Sequence, residues 1–241
     1  MDHGYIKNNL EQLLAEIRTL SKGRRVTLVA VTKSGTDEEL LALAEAGITD
    51  LGENRPQELV RRGELLRAAG YTPALHEIGS LQKNKVRHIA PSVALIHSVD
   101  SLALALEIDK RARAIGRRIP VLVEVNSARE PAKGGVMPEE CEELIGQLRD
   151  LEGIRLAGLM TMGPVTDEPE AIRPYFALTK KLFDRLCLAG AFEGEAILSM
   201  GMSDSYKVAI EEGSTMVRVG RRLFTKPTTN DMTEREDKAD V

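Results

Sequence analysis

The chain has 241 residues, of which 42% are hydrophobic and 29% charged, and its net charge is −4. That length suits one large α/β domain, and the mildly acidic balance gives no electrostatic reason to expect a nucleic acid or an anionic membrane as partner. Cys141 and Cys187 lie far apart without zinc or CxxC spacing, the N-terminus has no signal-peptide pattern, and no apolar run is long enough to cross a bilayer, so a reduced, cytoplasmic protein is expected.

A first helix is expected over residues 6–20, with Ile6, Leu10, Leu13, Leu14 and Ile17 on one stripe. Strand patterns follow at 26–32, 48–51, 75–79, 93–97, 119–125, 154–160, 195–200 and 215–219. Helical segments lie between them at 37–46, 56–69, 82–89, 101–115, 138–149, 169–189 and 204–212. Gly47, Gly70, Gly116, Gly190 and Gly213 punctuate helix ends, and Pro138 fits a first helical turn. Eight alternating strands predict a single (β/α)8 TIM barrel over residues 1–224 with an extra N-terminal helix; an open doubly wound sheet is the competing arrangement. Residues 225–241 are polar and read as a disordered tail.

A barrel places chemistry at the C-terminal ends of its strands. Lys33 ends the first predicted strand, Glu53, Asn54 and Arg55 follow the second, Gly79 and Ser80 the third, and His97, Ser98 and Asp100 the fourth. Asn126, Thr161 to Gly163, Ser199 to Ser203, and Gly220 with Arg221 take the same place on the remaining four. The turn from Gly201 to Ser203 hands a strand to a helix, where free N–H groups suit a phosphate. Arg218 alternates with Val217 and Val219, so a covered strand would bury its charge and demand a partner. Together these features suggest an aromatic aldehyde carrying a phosphate as ligand.

Plainer readings stand beside these. Lys33 could end a strand, Ser203 could cap the helix after it, and Asn54 could shape a turn. Arg218 could bridge to Glu53 or another carboxylate, Lys133 could be an exposed loop lysine, and His76 and His97 read as structural because nothing near them completes a triad.

The ordered motifs are Val29-Ala-Val-Thr-Lys33, Gly52-Glu-Asn-Arg55, His76-Glu-Ile-Gly79 with Leu81-Gln-Lys-Asn-Lys85, His97-Ser-Val-Asp-Ser101, Leu198-Ser-Met-Gly-Met-Ser203 and Gly213-Ser-Thr-Met-Val-Arg-Val-Gly220. With them the chain resembles, from about residue 6 to residue 224, the pyridoxal-phosphate homeostasis proteins (the YggS/PROSC or alanine racemase N-terminal-domain-like family). The resemblance implies a barrel binding pyridoxal 5′-phosphate. Lys33 would form the Schiff base, Ser203 and the backbone near Gly220 would hold the phosphate, Arg218 would face the pyridine nitrogen, and Asn54 and Met202 would lie beside the cofactor. Leu75-His-Glu-Ile-Gly-Ser80 departs from the family's Trp-His-Phe-Ile-Gly-His, and the loop 127–136 keeps only a Lys133-Gly134 pair.

The implied role is a monomeric intracellular carrier and regulator of the cofactor, with no established reaction and with apo-enzymes or amino acids as possible recipients. The alternative is a pyridoxal-phosphate-dependent amino-acid racemase. That reaction needs a second base opposite the lysine, and only Tyr206 among the four tyrosines falls near the proposed site. A racemase-type second domain is not expected in this length.

Overall fold

A computed structural model describes residues 3–226. Eight parallel strands close into a barrel in chain order, which settles the choice against the open sheet. They are β1 (Thr27–Val31), β2 (Asp50–Glu53), β3 (Ala74–Glu77), β4 (Val93–Val99), β5 (Ile119–Glu124), β6 (Ile154–Met160), β7 (Ile197–Ser199) and β8 (Met216–Val219). Thr27 pairs with Met216, so β8 returns to β1 and leaves no sheet edge exposed.

The helices are α1 (Gly4–Ser21), α2 (Asp37–Glu45), α3 (Pro56–Ala68), α4 (Val86–Ile89), α5 (Leu102–Ala114), α6 (Cys141–Leu148), α7 (Arg173–Leu188), α8 (Tyr206–Glu211) and α9 (Arg221–Phe224). α2 begins on a reciprocal cap, with Glu39 N donating to Thr36 Oγ1 at 3.2 Å and Thr36 N to Glu39 Oε2 at 2.8 Å. α1 fills the gap in the helical ring at the barrel seam, touching α2, α8 and α9. Its buried stripe is Ile6, Leu10, Leu13, Ile17 and Ser21. Leu14 sits at the edge of that stripe and is exposed.

Strand alternation divides the core in two. Leu28, Ala30, Leu51, Leu75, Ile96 and Val217 face outward to the helices and join the large cluster between the two layers. Val29, Leu95, Leu122, Ala157, Met160 and Met216 form a separate cluster inside the barrel. Phe176 on α7 is fully buried in the outer layer; truncating such a ring costs about 3–5 kcal/mol.

Several boundaries differ from the sequence pattern. The second strand runs 50–53 rather than 48–51, because Ile48 packs in the turn before it while Gly52 and Glu53 pair with β3. Pro138 is not in a first helical turn: residues 137–140 make a separate turn, closed by Glu140 N on Met137 O, and α6 starts at Cys141. The segment 82–89 begins as a 3₁₀ turn at Lys83–Lys85, and 169–189 begins as one at Pro169–Ile172. The tail proposed for 225–241 lies, from residue 227 onward, outside the described residues. Thr225 is tied down, its carbonyl accepting from Asn9 Nδ2 at 2.9 Å.

Candidate functional site

The C-terminal mouth of the barrel holds a cavity of about 370 Å³ whose wall contains all of Lys33, Asn54, Met202, Ser203, Arg218 and Gly220. Gly79, Ser80, Glu124 and Met162 complete much of the rest. The residues come from both ends of the chain because the closing β1–β8 pair brings Lys33 beside Gly220.

Lys33 lies two residues past β1, exposed in the cavity, and no hydrogen bond or ion pair engages it among the described residues. Asn54 follows β2 and is exposed there as well. The backbone of Gly79 comes so close that a Cβ at that position would meet Asn54 O at 2.4 Å. Glycine at 79 therefore lets the β2 and β3 ends converge on the cavity.

Ser203 is not the cap of the next helix. That helix starts at Tyr206 with Ser205 as its N-cap residue. The turn before it closes through Tyr206 N on Met202 O at 2.8 Å and Met202 N on Ser205 Oγ at 3.1 Å. None of these bonds uses the N–H groups of Ser203 or Asp204. Ser203 Oγ instead accepts from Gly220 N at 3.3 Å, which leaves its own proton for a ligand. Gly201 has φ +95° and a Cβ there would lie 2.5 Å from Ala209 Cβ, so only glycine allows this turn to press on α8.

Arg218 is 3% exposed and does not bridge to Glu53. Its Nη1 donates to Ser199 Oγ at 2.6 Å and its Nη2 to Thr161 O at 3.1 Å. Burial lowers its pKa to about 10, against the pull of Glu124, so it stays charged at neutral pH. Glu53 points outward, where it meets Arg62 at 3.1 Å and the Thr32 hydroxyl.

Glu124 is the wall residue that pattern reading missed. It shares the inward face of β5 with Leu122, and a carboxylate at the C-terminal end of an inward-facing register was the available signal. Burial, with the nearby Asp100 carboxylate, raises its pKa to about 7 despite Arg218. Asn126 is outside the cavity wall and holds the following loop, donating to Glu130 O at 2.9 Å. Lys133 is not an exposed loop lysine, because its ammonium reaches Glu130 Oε1 at 2.9 Å and Gly163 O at 3.1 Å. His97 does not follow the fourth strand. It lies within β4, fully buried, and bonds to His76. Tyr206 is turned away from the cavity, its hydroxyl donating to Glu16 Oε2 of α1 at 2.5 Å.

The family described as alanine racemase, N-terminal domain, matches residues 5–226. A pyridoxal phosphate homeostasis protein of Aquifex aeolicus is 41% identical over 199 residues, covering 82% of this chain and 85% of that protein. One from Helicobacter pylori is 38% identical over 207 residues, covering 85% and 89%. Among solved structures, PipY of Synechococcus elongatus with pyridoxal phosphate bound superposes with a TM-score of 0.80 at 29% identity, covering 91% of this chain and all of PipY.

Proposed function

The chain belongs to the pyridoxal phosphate homeostasis proteins, on the alanine racemase N-terminal-domain fold, and from that premise we propose that it binds pyridoxal 5′-phosphate at the barrel mouth as a carrier and regulator of the cofactor. The observation that carries the reading is one cavity walled by an unengaged lysine, a hydroxyl beside backbone N–H groups, and a buried guanidinium.

When bound, the cofactor supplies an aldehyde that condenses reversibly with an amine and a pyridine ring that accepts electron density. The residues present fit those groups. Lys33 offers the amine. Ser203 and the turn around it offer an O–H and N–H donors for a phosphate, each charge-assisted bond being worth about 1.5–3 kcal/mol. Arg218 has donors only, so it can bond a pyridine nitrogen that carries no proton and gives none to a protonated one. Holding the ring nitrogen unprotonated makes the ring a weak electron sink, which suits storage and release better than carbanion chemistry.

The same wall speaks against a racemase. A two-base racemisation needs a proton-transfer group opposite Lys33. No tyrosine, histidine or cysteine is among the residues lining the cavity, and of its two carboxylates Asp204 is engaged by Arg221 while Glu124 lies under the charge of Arg218. No helix among the described residues is long and apolar enough to cross a membrane. We place the protein in the cytoplasm as a monomer whose residues 1–224 form the binding unit. Apo-enzymes or free amino acids are the recipients in this reading.

The test is an absorbance spectrum of the purified protein with pyridoxal phosphate, before and after borohydride, followed by peptide mapping. A visible band lost on reduction, with the pyridoxyl group on Lys33, is the expected result. An adduct mainly on Lys85 or Lys133, with Lys33→Ala still coloured, would overturn it.

A further inference from the structure

A line of polar side chains crosses the barrel interior from its N-terminal mouth to the cavity. Asp50, the first residue of β2, has a side chain 19% exposed at that mouth. His76 Nε2 lies 3.1 Å from Asp50 Oδ1, and His76 Nδ1 lies 2.9 Å from His97 Nε2. His97 Nδ1 is 3.1 Å from Ser199 Oγ, to which Arg218 donates at 2.6 Å. Barrel interiors are ordinarily filled by branched aliphatic side chains. Here five strands each give one inward polar residue, and His76, His97, Ser199 and Arg218 are all buried.

The chemistry of the two ends sets the direction of every bond. A guanidinium only donates and a carboxylate only accepts. Ser199 Oγ therefore accepts from Arg218, and its proton goes to its other partner, His97 Nδ1. His97 must then carry its proton on Nε2 and donate to His76 Nδ1. His76 in turn carries its proton on Nε2 and donates to Asp50. Two neutral imidazoles satisfy every link. Burial, with Arg218 and His76 nearby, pushes the His97 pKa well below its ordinary value, in keeping with a neutral ring.

We propose that this line makes Asp50 a positioning residue for Arg218, fixing from the far mouth of the barrel the guanidinium pose presented to the ligand. The opposite direction would need a proton on both nitrogens of His76. It would turn His97 Nδ1–H toward Ser199 and leave the serine proton without its acceptor. The Asp50 carboxylate, held also by Thr49 Oγ1 at 2.6 Å, is what selects the first direction. The second arm of Arg218 rests on Thr161 O, so the guanidinium is seated by a fixed carbonyl on one side and by this line on the other. That Arg218 meets a pyridine nitrogen rests on the cofactor reading above; the line of bonds does not.

Nitrogen-15 NMR of the ligand-free chain tests the wiring directly. Both His76 and His97 are expected neutral with the proton on Nε2, and a proton on His97 Nδ1 overturns the proposal. Titration with pyridoxal phosphate tests the consequence. Asp50→Leu is expected to weaken affinity about threefold to tenfold, the worth of one hydrogen bond, and to shift the visible band of the bound ligand. Asp50→Asn keeps an acceptor for His76 and is expected to restore both. If Asp50→Leu does not fold, His76→Leu cuts the next link and carries the same expectation. Affinity and band unchanged on cutting the line would overturn the positioning role. Failure of the wild-type protein to bind the cofactor would instead sink the functional reading, with the NMR result still deciding the wiring.

Discussion

Ser203 Oγ accepts the backbone N–H of Gly220 across 3.3 Å, tying the turn after β7 to the end of β8. These are the two loops at which barrels commonly hold a phosphate, and here one hydrogen bond fixes their separation. The serine spends an acceptor on the protein and keeps its donor for the ligand.

Ser203→Ala is accordingly expected to weaken pyridoxal phosphate binding about tenfold or more, from loss of one charge-assisted donor. Equilibrium dialysis measures it. Unchanged affinity would place the phosphate elsewhere in the cavity.

Gly201→Ala tests the backbone of the same turn. Its φ of +95° and the 2.5 Å approach of a Cβ to Ala209 make any side chain there strained. A cost of about 1–3 kcal/mol is expected, seen as a Tm roughly 2–4 °C lower per kcal/mol. A Tm within experimental error of wild type would mean the turn relaxes freely.

The site was more legible in sequence than the barrel interior. Lys33, Asn54, Ser203 and Gly220 follow strands, and the rule that barrels carry chemistry at those ends applies before any coordinates exist. Arg218 was legible because one charge among Met216, Val217 and Val219 stands out. The second strand was misplaced because Ile48 and Leu51 look like its apolar pair, while its real C-terminal half, Gly52-Glu53, looks like a turn. The line through His76, His97 and Ser199 was not legible at all. Its links join residues 21 and 102 positions apart, and each residue alone passes for a satisfied core polar group. Glu124 offered the same kind of signal as Arg218, a lone charge at the inward end of an apolar strand, but its environment was not legible, because only closure brings Asp100 and Arg218 near it.

Glu77 gives a pH prediction. It is fully buried in the outer layer, accepts only the Gly79 N–H at 3.2 Å, and leaves Oε2 without a partner. Burial, with the Glu53 charge adding to it, raises its pKa from 4.5 to about 8. The folded protein thus keeps a proton that the unfolded chain releases above about 4.5. The resulting stability is present in full below that pH and is lost as pH rises toward 8. Glu77→Gln cannot ionise and keeps the acceptor for Gly79. It is expected to flatten this part of the stability profile, with a gain on the order of a few kcal/mol at pH 9. Parallel urea curves for both proteins from pH 5 to 9 would refute the assignment.

The last prediction concerns catalysis. Lys33 is one base; the carboxylates of the cavity wall are Glu124, beside Arg218, and Asp204, which Arg221 engages. Tyr206 faces Glu16 and Arg222 on the far side of its helix. One base can still exchange an α-proton with solvent, so slow loss of that proton to deuterium is expected. Inversion at ordinary enzyme rates, on the order of 1–10³ s⁻¹, is not. Chiral analysis of alanine, serine and other amino acids with saturating cofactor separates the two, since exchange with retention labels the substrate without inverting it. Rapid inversion abolished in Lys33→Ala would promote the racemase. Faster transfer of bound cofactor to an apo-enzyme than its spontaneous release would support delivery.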